Sequence, residues 1–175
     1  MEASTLRKDF RRAEPADLDA LVALEAGFPD ADRFSRRAWA RVLRGNSAVL
    51  VAPPPQETPP QETSPPTGNA PSLGGAIAML YRRGARVGRI YSLAVAPAAR
   101  GRGLALDLLA AAEADAMARG CDRARLEVRG TNAPAIALYG RAGYRVIERI
   151  PAYYADGGDA LRMEKKLPVG KEAIR

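Results

Sequence analysis

The chain has 175 residues, of which 47% are hydrophobic and 27% are charged, values typical of one globular domain and unlike those of a fibrous repeat or a disordered chain. No apolar run reaches the roughly 20 residues that cross a bilayer, and the first residues lack the apolar core of a signal peptide, so we expect a cytoplasmic protein without a membrane partner. A single cysteine, Cys121, excludes an internal disulfide. The absence of histidine excludes His-based catalysis and the usual zinc sites, so we expect no metal.

The formal charge of the chain is +7, and four of its 27 basic residues are lysines, the others being arginines. Arginine suits planar, bidentate contact with phosphate, and a basic surface fits nucleic acid or a small polyanionic cofactor equally well. Because the arginines are dispersed along the sequence, we expect no nucleic-acid partner.

Strand and helix signals alternate along the chain. Alternating elements around one sheet, with hairpin-like neighbours, predict a mixed-sheet α/β fold. The predicted elements are, in order, a strand at residues 6–12, a helix at 15–25, a helix at 36–44 capped by Ser35 and stopped by Gly45, strands at 47–52, 73–81 and 87–95, a helix ending at Gly120, a strand at 123–129, a helix capped by Asn132, and strands at 144–150 and 160–167.

A proline-rich stretch interrupts this alternation at residues 53–71. It holds eight of the 14 prolines, contains Pro-Gln-Glu-Thr twice and has no large apolar residue, so it cannot bury enough surface to offset the entropy cost of ordering. We therefore expect a disordered surface loop inserted in a single domain that spans residues 1–175. Such a loop suits either a docking ligand for a partner or a neutral insertion.

A glycine-rich turn, Arg-Gly-Arg-Gly at residues 100–103, lies between the strand at 87–95 and the next helix. A turn that opens a helix leaves several backbone N–H groups unpaired and aimed at one spot, and the helix dipole adds positive potential there. The turn is therefore a candidate anion cradle, which Arg100 and Arg102 would strengthen. It lacks the lysine of a nucleotide-hydrolysing P-loop and the full dinucleotide fingerprint, and on its own it also suits an ordinary tight turn.

Two strings around this turn resemble the signatures of one family. The string Leu-Ala-Val-x-Pro-x-x-Arg-Gly-x-Gly-Leu-Ala at residues 93–105 resembles the acetyl-CoA signature of the GNAT superfamily of N-acetyltransferases. The string Leu-Glu-Val-Arg-x-x-Asn-x-x-Ala-x-x-Leu-Tyr-x-x-x-Gly-Tyr at residues 126–144 resembles a second signature of that family and follows at the expected distance. Within the superfamily, the sequence most resembles the bacterial N-terminal acetyltransferases of ribosomal proteins, through the second string and the Tyr-Tyr…Asp-Ala…Met stretch at 153–163.

The resemblance implies a GNAT-like fold with a mostly antiparallel central sheet, and the transfer of an acetyl group from acetyl-CoA to a primary amine. It further implies that the amine is the N-terminus of a peptide or protein, which we expect to enter between residues 27–34 and 153–159. The Val95 N–H is the candidate donor to the thioester carbonyl oxygen. The cofactor would contact the backbone of Leu93, Ala94 and Val95, the turn residues Arg100, Gly101, Arg102, Gly103, Leu104 and Ala105, and Asn132.

Two side chains receive catalytic roles from the resemblance: Glu127 as the general base, directly or through water, and Tyr139 as the general acid that protonates the departing thiolate. The residues alone leave another interpretation open for each. Glu127 points to the same side of its strand as Arg125 and Arg129, which suits a structural ion pair. Tyr139 shares a helical stripe with Ile136, which is typical of a core aromatic whose hydroxyl must still find a partner.

The sequence is compatible with three functions. N-terminal acetylation is favoured by the resemblance and by the adjacent Tyr153 and Tyr154, which suit contact with a peptide. Acetylation of a small amine would favour a cluster of acidic residues, whereas the chain has only the scattered Asp30, Asp32, Asp156 and Asp159. A non-catalytic acyl-CoA-binding module would tolerate substitution of both predicted catalytic residues. Either a monomer or a dimer is compatible with the sequence.

Overall fold

The computed structural model describes residues 10–55 and 72–168, which form one sheet of seven strands with four α-helices. The strand order is β1-β2-β3-β4-β5-β7-β6, and neighbouring strands are antiparallel except for the parallel pair β4–β5. The mixed, mostly antiparallel fold class is thereby confirmed. The elements are β1 (Arg11–Arg12), α1 (Leu18–Leu24), α2 (Arg36–Arg44), β2 (Ser47–Ala52), β3 (Gly75–Tyr81), β4 (Val87–Val95), α3 (Leu104–Ala118), β5 (Arg123–Arg129), α4 (Ala133–Arg141), β6 (Arg145–Ile150) and β7 (Ala160–Lys166).

The predicted bounds are correct for β2, β4 and β5, and the first two elements differ from the prediction. Of the strand predicted at residues 6–12, the described part contains only β1, while residues 6–9 lie outside the described residues. The helix predicted at 15–25 is divided, because 3-10 turns at Pro15–Asp17 and Glu25–Gly27 flank α1, as is common where a helix tightens at its ends. Residues 56–71 of the predicted proline-rich loop lie outside the described part of the chain.

Two helices begin where the sequence places their caps. The Ser35 hydroxyl accepts a hydrogen bond from the Ala38 N–H at 3.1 Å, and the Asn132 Oδ1 accepts one from the Ala135 N–H at 3.2 Å. Each bond satisfies one of the backbone donors that a helix N-terminus leaves unpaired, so both cap predictions are confirmed.

Helices cover the sheet on both faces. On one face α3 and α4 pack against a core that includes Ile77, Leu108 and Leu126. On the other face α1 and α2 place Leu21 and Trp39 against β2 and β3. None of the helices in the described residues is long and apolar enough to cross a membrane.

The face that α1 and α2 share carries charged side chains further along the sheet. Successive residues of a strand point to opposite faces, so Leu126 and Val128 enter the α3 core while Glu127 and Arg129 point to the other side. Arg162 of β7, the strand partner of Glu127, lies on that same side. The two halves of this face therefore differ, one being an apolar core and the other a layer of charges.

A β-bulge in β4 lies where β4 and β5 begin to diverge. Ala78 pairs with Ser92 and Met79 with Ile90, which leaves Tyr91 as an extra residue on β4. A bulge bends its strand and increases the local twist. The parallel pairing of β4 with β5 accordingly ends at Ile90 and Leu126, and beyond that point the two strands lie apart. This divergence opens the sheet at its middle.

Candidate active site

A cleft of about 840 Å³ lies where β4 and β5 diverge. A smaller cavity of about 280 Å³ around Gly103 and Leu104 adjoins it, since both are lined by Val95, Arg100 and Ala105. The predicted site residues that line one or both cavities are Leu93, Val95, Arg100, Gly101, Gly103, Leu104, Ala105, Glu127, Asn132 and Tyr139. The structure therefore brings together residues from β4, α3, β5 and α4 that the sequence separates.

The backbone edge of β4 faces this cleft at alternate residues. The Ala96 N–H donates to the Gly74 carbonyl at 2.9 Å, so Ala96 and Ala94 direct their backbone groups toward β3. Leu93 and Val95 then direct theirs away from β3, and the Val95 carbonyl indeed accepts from Arg100 Nε at 3.2 Å. The prediction that Ala94 contributes to this edge is wrong for its backbone groups, because strand geometry alternates their direction.

The glycine turn presents a bare backbone at the start of α3. Gly101 and Gly103 both have φ of +74°, a left-handed conformation that side chains other than glycine rarely adopt. A Cβ atom on either residue would meet nothing within 4 Å, so the space beside both is open. The first intrahelical acceptor is the Gly103 carbonyl, which the Asp107 N–H reaches at 3.1 Å, so the N–H groups of Leu104, Ala105 and Leu106 have no acceptor within the helix. Arg102 lines neither cavity.

Glu127 lies at the wall of the cleft between two guanidinium groups. Arg89 Nε donates to its Oε2 at 2.8 Å and Arg162 Nε to its Oε1 at 3.0 Å, and the carboxylate side chain is 6% exposed. The arginines predicted to flank it are engaged elsewhere, Arg125 with Glu164 on β7 and Arg129 with the 27–34 segment. Distance explains this choice of partners. Residues two apart on one strand are roughly 7 Å apart, whereas side chains on neighbouring strands are in direct contact.

Tyr139 is buried in α4 and reaches the cleft from the side of the α3 core. Its ring packs edge-on against Tyr144, with the centroids 5.9 Å apart, and no hydrogen bond joins its hydroxyl to another described residue. Burial, with a smaller contribution from Tyr154, raises the pKa of Tyr139 to about 12. The phenol is therefore protonated at neutral pH, and it is a weaker acid than a solvent-exposed tyrosine.

Residues 72–144 match the model of the acetyltransferase (GNAT) family, a span that runs from the start of β3 to the end of α4. This part of the chain is similar to the GNAT family. The resemblance seen in the sequence is thereby confirmed. The matched span contains the β4 edge, the glycine turn and both predicted catalytic residues.

Curated relatives and solved structures show further similarities, the former in sequence and the latter in fold. Over 81 residues the chain is 40% identical to the N-alpha-acetyltransferase MAK3 of Arabidopsis thaliana, which covers 46% of this chain and 43% of that protein. The fold is similar to that of the ribosomal-protein-S18-alanine N-acetyltransferase of Escherichia coli, with a TM-score of 0.71, 23% identity and coverage of 95% of this chain and 98% of that one. It is also similar to Arabidopsis thaliana NAA60 in complex with a bisubstrate analogue, with a TM-score of 0.75, 21% identity and coverage of 93% and 99%. The chain spans about half the length of the N-alpha-acetyltransferases that it matches.

One residue that contacts the lining of this cleft was not predicted from the sequence. Glu25 is 1% exposed, its Oε2 accepts from the Phe34 N–H at 2.7 Å, and its Oε1 accepts from the Ser92 hydroxyl. Burial raises the pKa of Glu25, although the bonds from Ser92 and Phe34 oppose the shift. The sequence did contain a signal for this residue. Glu25 places a carboxylate in the apolar helical stripe that Leu18 and Leu21 begin. Ser92 lines the cleft, so this buried pair ties the 27–34 segment to β4.

The segments predicted to admit the acceptor both border the cleft. Phe28, Pro29 and Asp32 line it from residues 27–34, while Tyr153 and Tyr154 line it from residues 153–159. The Tyr153 hydroxyl accepts from Arg89 Nη2 at 2.8 Å, which connects the second segment to the arginine that holds Glu127. Phe34 stacks on the half-exposed Tyr91 with the ring centroids 4.4 Å apart. This side of the cleft thus combines aromatic surface with arginine.

Proposed function

We propose that this protein transfers an acetyl group from acetyl-CoA to the α-amine at the N-terminus of a peptide or protein. The observation that carries the proposal is the opening between β4 and β5, in which the free backbone edge at Leu93 and Val95 leads to the glycine turn before α3. An extended chain with amide groups that ends in phosphates fits this surface, because the edge offers strand-like hydrogen bonds and the turn offers converging N–H groups. The pantetheine arm and pyrophosphate of acetyl-CoA follow in that order.

The residues for holding acetyl-CoA are present in this chain. The backbone of Leu93 and Val95 would pair with the pantetheine arm, and the amides of residues 100–105 would hold the pyrophosphate. The Val95 N–H would donate to the thioester carbonyl oxygen, where charge develops as the amine attacks. Asn132 uses its Oδ1 to cap α4, which leaves its side-chain N–H groups as donors to the cofactor.

Acetyl transfer forms the N–C bond, breaks the C–S bond, removes a proton from the amine and returns one to the thiolate. Glu127 would accept the amine proton directly or through water, since each of its oxygens keeps a lone pair beyond the bond from arginine. Tyr139 would protonate the thiolate. An α-amine, with a pKa of about 7.7–8.0, loses its proton far more easily than a lysine at about 10.4, so a weak base suffices for a peptide N-terminus.

The acceptor side of the cleft supports a peptide over a small cationic amine. A small cation would be held by unpaired carboxylates, but Asp32 and Glu127, the acids of the described residues that line the cleft, are both paired with arginine. The rings of Tyr91 and Tyr153 are exposed there and suit contact with a peptide backbone. The relatives named N-alpha-acetyltransferase support the same acceptor class.

The test is a panel of N-terminal peptides and small amines assayed for thiol release from acetyl-CoA. We expect turnover on at least one peptide class to exceed that on every amino acid, polyamine or antibiotic tested. Faster turnover on a small amine would overturn the assignment of the acceptor. Tight binding of CoA without thiol release on any member of the panel would favour the non-catalytic acyl-CoA module.

A further inference from the structure

The last residue of β5, Arg129, contacts both segments that border the acceptor side of the cleft. Its Nε donates to Asp32 Oδ2 at 3.0 Å, and its Nη2 makes a parallel bond to Asp32 Oδ1. On the other side its Nη1 donates to the two oxygens of Asp156 at 3.1 and 3.0 Å. The guanidinium also lies over the ring of Tyr154, 4.1 Å from the centroid. One side chain therefore joins residues 27–34 to residues 153–159.

The contacts of Arg129 hold its guanidinium group in one position. The Arg129 side chain is 16% exposed and that of Asp32 is 19% exposed, so the pair is mostly removed from water. The planar guanidinium fork matches a carboxylate with two parallel bonds and can hold a second carboxylate with its remaining nitrogen, which a lysine ammonium cannot do with the same geometry. Because these donors are used by Asp32 and Asp156, Arg129 is placed to position the segments rather than to bind an acceptor itself.

Hydrogen bonds tie the backbone of the 153–159 segment to Asp156. Asp156 Oδ1 also accepts from the Gly158 N–H at 3.0 Å, and the Tyr154 N–H donates to the Gly158 carbonyl at 3.0 Å, so the segment is a closed turn. Gly158 leaves room for the arginine, since a Cβ atom there would lie 2.3 Å from Arg129 Nη1. The same turn carries Tyr153, whose hydroxyl bonds to Arg89 beside Glu127.

We propose that Arg129 is a positioning residue that sets the spacing of the two segments, and thereby the fit of a peptide N-terminus between them. The acceptor class in this inference rests on the proposed function, whereas the positioning of the segments does not. Loss of the guanidinium bonds to Asp32 and Asp156 releases both segments at once. The hydrogen bonds and ion pairs of this cluster do not involve Leu93, Val95, Gly101 or Gly103, so acetyl-CoA binding stays intact while acceptor binding weakens.

The decisive variant is Arg129→Lys, with Arg125→Lys as its matched control. Arg125 lies on the same strand and faces Glu164 through a similar pair of bonds, but it does not line the cleft. We expect Arg129→Lys to raise the KM for the acceptor peptide about tenfold, with kcat changed less and the Kd for CoA within about twofold, since charge-assisted bonds of this kind are strong. Arg125→Lys should leave the acceptor KM unchanged.

Amide hydrogen exchange supplies a readout that needs no turnover. Arg129→Lys should speed exchange in residues 27–34 and 153–159 together, whereas Asp32→Asn should affect mainly the first segment and Asp156→Asn mainly the second. Gly158→Ala should reproduce the Arg129→Lys result by displacing the guanidinium. Unchanged exchange in both segments would overturn the inference. A rise in the acceptor KM that is accompanied by equal losses of CoA affinity and melting temperature would also overturn it. If no peptide in the panel is acetylated, the proposed function fails while the exchange result still decides the role of Arg129.

Discussion

We have proposed that one side of the cleft binds the cofactor and the other the acceptor, and these two sides are built from different parts of the chain. The cofactor side consists of backbone: the free edge of β4 at Leu93 and Val95, two left-handed glycines and the first amides of α3. The acceptor side consists of side chains, in which Arg89, Arg129 and Arg162 hold carboxylates from other elements. A backbone surface keeps its hydrogen-bonding groups whichever side chains it carries, whereas a side-chain surface can change with single substitutions. We therefore expect substitutions to alter the choice of acceptor more readily than the binding of acetyl-CoA.

The largest expected effect is that of Tyr139→Phe, which removes the proposed acid where the two sides meet. We expect kcat to fall by roughly 10²–10⁴-fold while CoA affinity stays nearly constant, because the ring and its packing on Tyr144 are kept. Steady-state kinetics and calorimetry measure the two quantities. Tyr144→Phe is the matched control: its hydroxyl donates to Glu113 at 2.9 Å away from the cleft, so stability should fall without loss of kcat. Wild-type turnover in Tyr139→Phe would make Tyr139 a core aromatic only.

Glu127→Gln tests whether the acceptor side takes part in proton transfer. We expect kcat to fall about 10²-fold at low pH, where the amine is mainly protonated, and to recover partly as the pH rises through the amine pKa of about 7.7–8.0. The pH–rate profile is the measurement. Glu164→Gln, which breaks the neighbouring pair with Arg125, should leave that profile unchanged. A loss of stability with an unaltered profile would show that Glu127 serves only as an ion-pair partner of Arg89 and Arg162.

Gly103→Val would break the cofactor side alone. A valine at φ of +74° is strained and its side chain would occupy the open space beside the turn, so we expect CoA affinity to fall at least about tenfold. Gly84→Val is the control, because Gly84 has φ of +75°, equally open surroundings and a place in the β3–β4 turn far from both cavities. Both variants carry the backbone strain, and calorimetry should find weaker CoA binding only in the first. Equal affinities would remove the turn from the cofactor site.

Glu25→Gln changes the dependence of stability on pH. Burial raises the pKa of Glu25 in the folded chain, so the unfolded chain releases this proton first, and its contribution to stability falls as the pH rises from the unfolded pKa to the folded one. We expect the melting temperature of the wild type to decline relative to Glu25→Gln over that window. Asp19→Asn, at an exposed carboxylate, should remove no such trend. Parallel melting curves across pH for the wild type and Glu25→Gln would contradict the assignment.

The smallest effect is expected from the proline-rich stretch. Replacement of residues 56–71 by a short Gly/Ser linker should leave the melting temperature and kcat nearly unchanged, because the composition of these residues cannot supply a core. Residues 53–55 should be kept, because the Pro53 backbone packs closely against Gly74, where a Cβ atom would lie 2.2 Å from the Pro53 carbonyl oxygen. Thermal unfolding and the thiol-release assay check the result. A large loss of either quantity would assign the stretch a packing or binding role.

The two sides also differ in how far the sequence predicts them. The strand at Val87–Val95, the glycine turn and the Asn132 cap depend on residues close together in the chain, and the structure confirms those elements. The bonds of Glu127 to Arg89 and Arg162, and of Arg129 to Asp32, join residues from separate elements. Such pairs depend on strand register and loop packing, which residue type and periodicity do not specify. Glu25 was missed for the same reason, because its partner Ser92 comes from another element.

The extra residue at Tyr91 changes which way the second half of β4 faces. Before it, Ile90 enters the α3 core; after it, Ser92 and Ala94 point to the opposite face, toward Glu25 and the α1–α2 core. Removal of one residue here would invert every later position of the strand, which would turn the Val95 amide from the cleft into the sheet. The number of residues in β4 thus determines whether the Val95 amide faces the cleft. We therefore expect β4 to tolerate an exchanged side chain better than the insertion or deletion of one residue.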